Sequence, residues 1–130
     1  HACDVLQRVP EDFVVLSGDD ALTLPMMAVG ARGVISVASN EVPSEMARMV
    51  AAALGEDFVT ARRLHRQLMP LMQVNFVEAN PVPVKFAMAA MGLIDERYRL
   101  PMCAPRQDSR DKILHVLKDM ALLSDAYANR

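Results

Sequence analysis

Tryptophan is absent, aromatic residues make up 5% of the chain, and only three lysines occur, Lys85, Lys112 and Lys118. With net charge −2, no face is predicted to attract nucleic acid or an anionic membrane. Arg62, Arg63 and Arg66 form the tightest basic group. No aromatic residue sits among them to stack a base, so they read as one solvated helix face. The two cysteines, Cys3 and Cys103, are far apart. They form no CxxC pair and have no histidine at ligand spacing, so no metal site or disulfide framework is predicted. A reducing cytoplasm is the expected compartment. No apolar run reaches the ~18 residues needed to span a bilayer. The opening His1-Ala2-Cys3-Asp4 shows no secretory pattern and reads as the middle of a longer chain.

The sequence is instead rich in apolar residues, at 52%, with ten methionines. Methionine at this density, among many Ala and Leu, predicts helical core packing rather than a cofactor surface. Val5, Leu6 and Val9 form the stripe of a helix end that Pro10 stops. Phe13-Val14-Val15-Leu16 is a continuous apolar run closed by Ser17-Gly18-Asp19-Asp20. Such a run predicts a strand buried on both faces. A helix is expected over 23–29, capped by Thr23 and ended by Gly30. Gly33-Val34-Ile35-Ser36-Val37 reads as a second buried strand. Strand, helix, strand is one βαβ unit, so the strands should be parallel.

Beyond residue 43 only helices are expected. Pro43–Leu54 ends at Gly55. Asp57 caps a helix with Phe58, Ala61, Leu64, Leu68 and Leu71 on one face, and Pro70 near its end. Asn80-Pro81-Val82-Pro83-Val84 is rigid and launches 85–91. Asp108, with Asp111 in a capping-box arrangement, opens a last helix with the stripe Ile113, Leu117 and Met120. The tail from Ser124 is expected to fray. The βαβ part and the helical part divide near residue 55, giving expected domains 1–55 and 56–130.

Two buried parallel strands leave backbone donors and acceptors unpaired at both edges. Other chain segments must cover them. The other strands of a (β/α)8 barrel, usually ~250 residues in all, would do so.

Four blocks carry a resemblance across nearly the whole chain. They are Leu16-Ser17-Gly18-Asp19-Asp20, Gly33-Val34-Ile35-Ser36-Val37, the run from Phe76-Val77-Glu78-Ala79-Asn80 through Lys85, and Arg99-Leu100-Pro101-Met102. In order and spacing they resemble the dihydrodipicolinate synthases, pyruvate-dependent class I aldolases. The resemblance implies an α/β fold, the C-terminal part of a (β/α)8 TIM barrel (strands 7 and 8) followed by a helical C-terminal extension. It implies condensation of pyruvate with aspartate 4-semialdehyde toward diaminopimelate and lysine, through a Schiff-base lysine. It further implies a homotetramer built as a dimer of dimers, and no cofactor or metal. Ile35 resembles the residue whose backbone lies against the pyruvyl group. Gly18 and Asp19 resemble residues lining the entrance for the second substrate, and Asn80 one that reaches the same rim. Val29 resembles a position at the contact between dimers. The family's Schiff-base lysine and proton-relay residues match nothing here and are expected upstream, so no catalytic residue is assigned to this chain.

Each feature also has a plainer reading. Gly18-Asp19-Asp20 fits a turn with an acidic helix start. As a loop after a barrel strand it offers two carboxylates and no cation, which predicts an unphosphorylated substrate. Lys85 opens a helix, wet or paired with Glu78, rather than in the desolvated place a Schiff-base lysine needs. His65 and His115 read as structural or exposed, with no acid in evidence. Asn80 fits a turn before Pro81. The rival functions are another aldolase of the N-acetylneuraminate lyase superfamily and a non-catalytic helical interaction module.

Overall fold

A computed structural model describes residues 1–128. The helices are α1 (Ala2–Leu6), α2 (Thr23–Ala28), α3 (Pro43–Leu54), α4 (Phe58–Val74), α5 (Val82–Ala90), α6 (Gln107–Asp119) and α7 (Asp125–Ala128), with a 310 turn at Ala38–Asn40. The chain forms two compact units, His1–Met69 and a second from Pro70 onward. Ala61 on α4 packs into the first unit's core with Leu24, Met27, Ala31 and Ala53.

The expected βαβ unit is present in outline but not in detail. Among the described residues there is no extended ladder, only a single parallel bridge between Ser17 and Val34. The Ser17 amide donates to the Gly33 carbonyl at 2.8 Å, and the Ile35 amide donates to the Ser17 carbonyl at 2.9 Å. One step earlier the Arg32 amide, rather than that of Gly33, donates to the Val15 carbonyl at 2.8 Å. Two residues thus span a stretch where a regular parallel ladder uses one, which is a bulge and ends the pairing. Gly33 takes φ +154° there.

The predicted burial of both strand faces is not what these residues show. Phe13 is 56% exposed, Val14 60%, Leu16 41% and Ile35 71%. These apolar side chains are therefore left largely uncovered within the described residues.

In the first unit, α3 has the expected bounds, with Pro43 in its first turn and Met46, Met49 and Ala53 buried. Burying a side chain of methionine size contributes roughly 1.5–3 kcal/mol. Asp57 caps α4 as expected, its Oδ1 accepting the Thr60 amide at 3.0 Å. The Thr60 hydroxyl, and then this amide, hold the Asp57 carboxyl below its ordinary range. α4 runs past Pro70, beyond the expected end at Leu71. Pro70 removes one helical hydrogen bond, yet Leu71, Met72 and Val74 are buried and hold the last turn.

In the second unit α5 begins earlier than expected, because Pro83 fits a first turn. It packs on α6 through buried Phe86, Ala87 and Ala90, with Ile113 and Leu117 fully buried on α6. Arg110 lies 4.6 Å above the Phe86 ring and ion-pairs with Glu96. The Ser124 hydroxyl donates to the Ala90 carbonyl at 2.8 Å. The tail from Ser124 opens with helix α7 instead of fraying; its last two positions, 129 and 130, lie outside the described residues.

Candidate functional site

In the first unit the site is built where the chain leaves the Ser17–Val34 bridge. The Ser17 hydroxyl donates to the Asp19 carbonyl at 2.7 Å, and the Asp19 amide donates back to that hydroxyl at 3.1 Å. Asp19 Oδ1 accepts the Leu22 amide at 3.1 Å, and the Thr23 hydroxyl donates to the Asp19 carbonyl at 3.0 Å. The expected Thr23 cap is therefore replaced. Leu22 occupies the cap position, and Thr23 is the first helical residue, tied backward to the loop. Asp19 is exposed, with one oxygen occupied by the helix start and its carboxylate edge facing outward.

Asp20, expected to offer a carboxylate in the loop, is instead only 1% exposed. Its Oδ2 accepts the Val37 amide at 3.0 Å and the Ala38 amide at 2.9 Å. A carboxylate suits this place, because both amides open the 310 turn and point at it. Aspartate after a strand signals only a helix start; a partner in a segment beyond the next helix is invisible to local pattern. Its Oδ1 is buried without a hydrogen bond.

Gly18 is exposed, and a Cβ added there would meet nothing within 4 Å. Ile35 sits on the neighbouring segment, joined to Ser17 through its amide. Gly18, Asp19 and Ile35 thus lie around one bridge. Val29, the expected inter-dimer position, is exposed at the end of α2.

Asn80 belongs to the second unit, exposed in the turn before α5. Two residues before it, Glu78 Oε1 accepts the Arg106 amide at 2.9 Å. The nearby Ser109 hydroxyl, followed by the amide of Arg106, holds the Glu78 carboxyl below its ordinary range. Glu78 thereby caps α6 from a distant segment, and the expected capping box of Asp108 and Asp111 does not form. Asp111 instead accepts from the Gln107 side chain at 2.8 Å. With Glu78 so engaged, Lys85 does not pair with it. Its ammonium lies 5.5 Å from the centre of the Tyr98 ring. Burial, and then Glu96, push the Tyr98 phenol well above its ordinary range.

The histidines take no part. Burial lowers the pKa of His65, and its Nδ1 is buried without a partner. His115 is exposed, and Asp119, an acid that the spacing reading overlooked one turn on, lies 3.3 Å away. Among the described residues no cluster of three metal-ligating side chains forms, and no helix is long and apolar enough to cross a membrane.

The family described as the Dihydrodipicolinate synthetase family matches residues 1–120. The chain belongs to that family. The 4-hydroxy-tetrahydrodipicolinate synthase of Koribacter versatilis is 52% identical over 123 residues, covering 95% of this chain and 41% of the relative. The synthase of Acidobacterium capsulatum is 48% identical, covering 92% of this chain and 40% of the relative. The crystal structure of dihydrodipicolinate synthase from Aquifex aeolicus superposes with a TM-score of 0.92 at 44% identity, over 95% of this chain and 42% of that one. The chloride-inhibited enzyme of Acinetobacter baumannii, solved with pyruvate, superposes with a TM-score of 0.89 at 34% identity, over 94% of this chain and 42% of that one. This family member thus spans about two fifths of the length of the relatives it matches.

Proposed function

We propose that this chain is the C-terminal part of a 4-hydroxy-tetrahydrodipicolinate synthase, carrying strands 7 and 8 of its barrel (residues 1–55) and the helical extension (56–130). The whole protein condenses pyruvate with aspartate 4-semialdehyde in the route to diaminopimelate and lysine. The observation that carries this reading is the exposure of the apolar residues Phe13, Val14, Leu16 and Ile35 beside a lone parallel bridge. A groove with Leu16, Val34, Met46, Val50 and Leu54 in its wall runs along the neighbouring face. Both surfaces fit further strands and helices of a barrel. Covering such side chains contributes roughly 1.5–3 kcal/mol each.

In the intact enzyme an upstream lysine amine attacks the pyruvate ketone and expels water to form an iminium. The iminium acidifies the methyl group, and the enamine left by its deprotonation attacks the aldehyde carbon. Ile35 contributes main chain against the pyruvyl group. Gly18 and Asp19 line the entrance for the second substrate, and Asn80 contributes to binding that substrate. Asp19, the exposed carboxylate of the Gly18-Asp19-Asp20 loop, disfavours a phosphorylated aldehyde, while Asp20 is buried against the Val37 and Ala38 amides. Val29 lies at the contact between dimers of a homotetramer, although one structural relative is described as a monomeric variant. The enzyme works in the cytoplasm without metal or cofactor.

The sibling aldolases and the non-catalytic module are less favoured, since the relatives named above all carry the synthase's name. The test is borohydride trapping with labelled pyruvate. The intact protein should be labelled on a lysine outside this chain, and the chain alone should stay unlabelled and inactive. A stable adduct on Lys85 would overturn the assignment.

A further inference from the structure

We infer that Asp20 is a positioning residue for the pyruvate site, acting through the main chain at Ile35; this rests on the functional reading above. The segment Ile35–Ala38 is held at two places. Its start is tied by the Ile35 amide, which donates to the Ser17 carbonyl at 2.9 Å. Its end is tied by the amides of Val37 and Ala38, which donate to Asp20 Oδ2 at 3.0 and 2.9 Å. Ser17 and Asp20 lie on one loop, and that loop is itself braced by the Ser17 and Thr23 hydroxyls, both donating to the Asp19 carbonyl. The peptide planes between the two ties have little freedom. Ile35 stays exposed at 71% while its main chain is fixed.

Asp20 is buried to the same degree as core side chains, at 1% exposure, yet its Oδ1 has no hydrogen bond. A buried carboxylate with an unmatched oxygen is an expensive way to fasten a loop. Its recompense is one oxygen placed where two amides converge, which fixes the direction of the chain behind Ile35. Misplacing a substrate-contacting group by ~1 Å costs up to ~100-fold in rate. Removing the tie should therefore reach the substrate and not only the fold.

The experiment compares Asp20→Ala and Asp20→Asn in the intact protein, with active sites counted by borohydride-trapped labelled pyruvate. The asparagine keeps an oxygen that can accept both amides. Per active site, Asp20→Ala should raise the KM for pyruvate at least about tenfold. The KM for aspartate 4-semialdehyde should change less than about threefold, and Asp20→Asn should stay within about threefold of wild type for both substrates. A merely structural role would lower the number of active sites and leave the pyruvate KM of the remainder unchanged in both variants. That result overturns the inference while leaving the functional reading intact. A wild-type protein that traps no pyruvate sinks the reading and the inference together.

Discussion

Two glycines near the site make opposite predictions when replaced by alanine. Gly18 has no left-handed φ, and an added Cβ would meet nothing within 4 Å. Gly18→Ala therefore leaves the folded state unstrained and removes conformational freedom from the unfolded one. It should change stability by about 0 to +1 kcal/mol. Gly30, which ends α2, has φ +119°. There a Cβ would find room, with the nearest atoms those of Leu6 at 3.7 Å, so crowding is not the obstacle. The obstacle is the backbone conformation, which L side chains rarely adopt. Gly30→Ala should cost about 1–3 kcal/mol. Urea unfolding of the intact protein, followed by circular dichroism, measures both. A loss above about 1 kcal/mol for Gly18→Ala, or a neutral Gly30→Ala, would refute this reasoning. The pair also separates fold from function. If Gly18 is glycine to leave room for the second substrate, Gly18→Ala should raise the KM for the aldehyde while the protein stays as stable as wild type.

Glu78 has its folded pKa lowered from the model-peptide value of 4.5. Its contribution to stability is thus fully present above pH 4.5 and is lost as pH falls through the lower folded value. Glu78→Gln should flatten the acid limb of a stability-versus-pH curve, and an unchanged limb would count against the cap on α6. His65, with its pKa lowered by burial from 6.5, adds stability that is present above 6.5 and declines as pH falls through its lower folded pKa. His65→Gln should remove that slope near neutrality, as thermal unfolding between pH 5 and 7 would show.

Elements governed by nearby residues were readable from the sequence. Pro43 and Gly55 bracket α3, and Asp57 caps α4, because first-turn proline, helix-ending glycine and capping aspartate all act within one turn. The parallel sense of the Ser17–Val34 pair followed from the helix between its segments. Long-range partners could not be read the same way. Asp20 looks like any acidic residue at a helix start until the amides of Val37 and Ala38 arrive beside it. Glu78, close to Lys85 in sequence, is one partner that local spacing allows for it, whereas its acceptor capacity goes to the start of α6. The strand faces failed for a different reason. An apolar run states that a segment is to be covered, but not which residues do the covering. Phe13 and Val14 therefore remain exposed within this chain. Of the proposed site, the cluster of Gly18, Asp19 and Ile35 about one bridge was foreseeable, while the clamp behind Ile35 was not.

In a closed barrel the apolar side chains beside the bridge, exposed within this chain, must be covered by the rest of the protein. Hydroxyl-radical footprinting of the intact protein tests this directly, with buried Phe86 and the same side chains in the urea-unfolded protein as references. Phe13, Leu16 and Ile35 should be oxidised as slowly as Phe86, relative to the intrinsic reactivity of each side chain. Oxidation of all three as fast as in the urea-unfolded protein would mean that no barrel closes over them, and would contradict the proposed assignment.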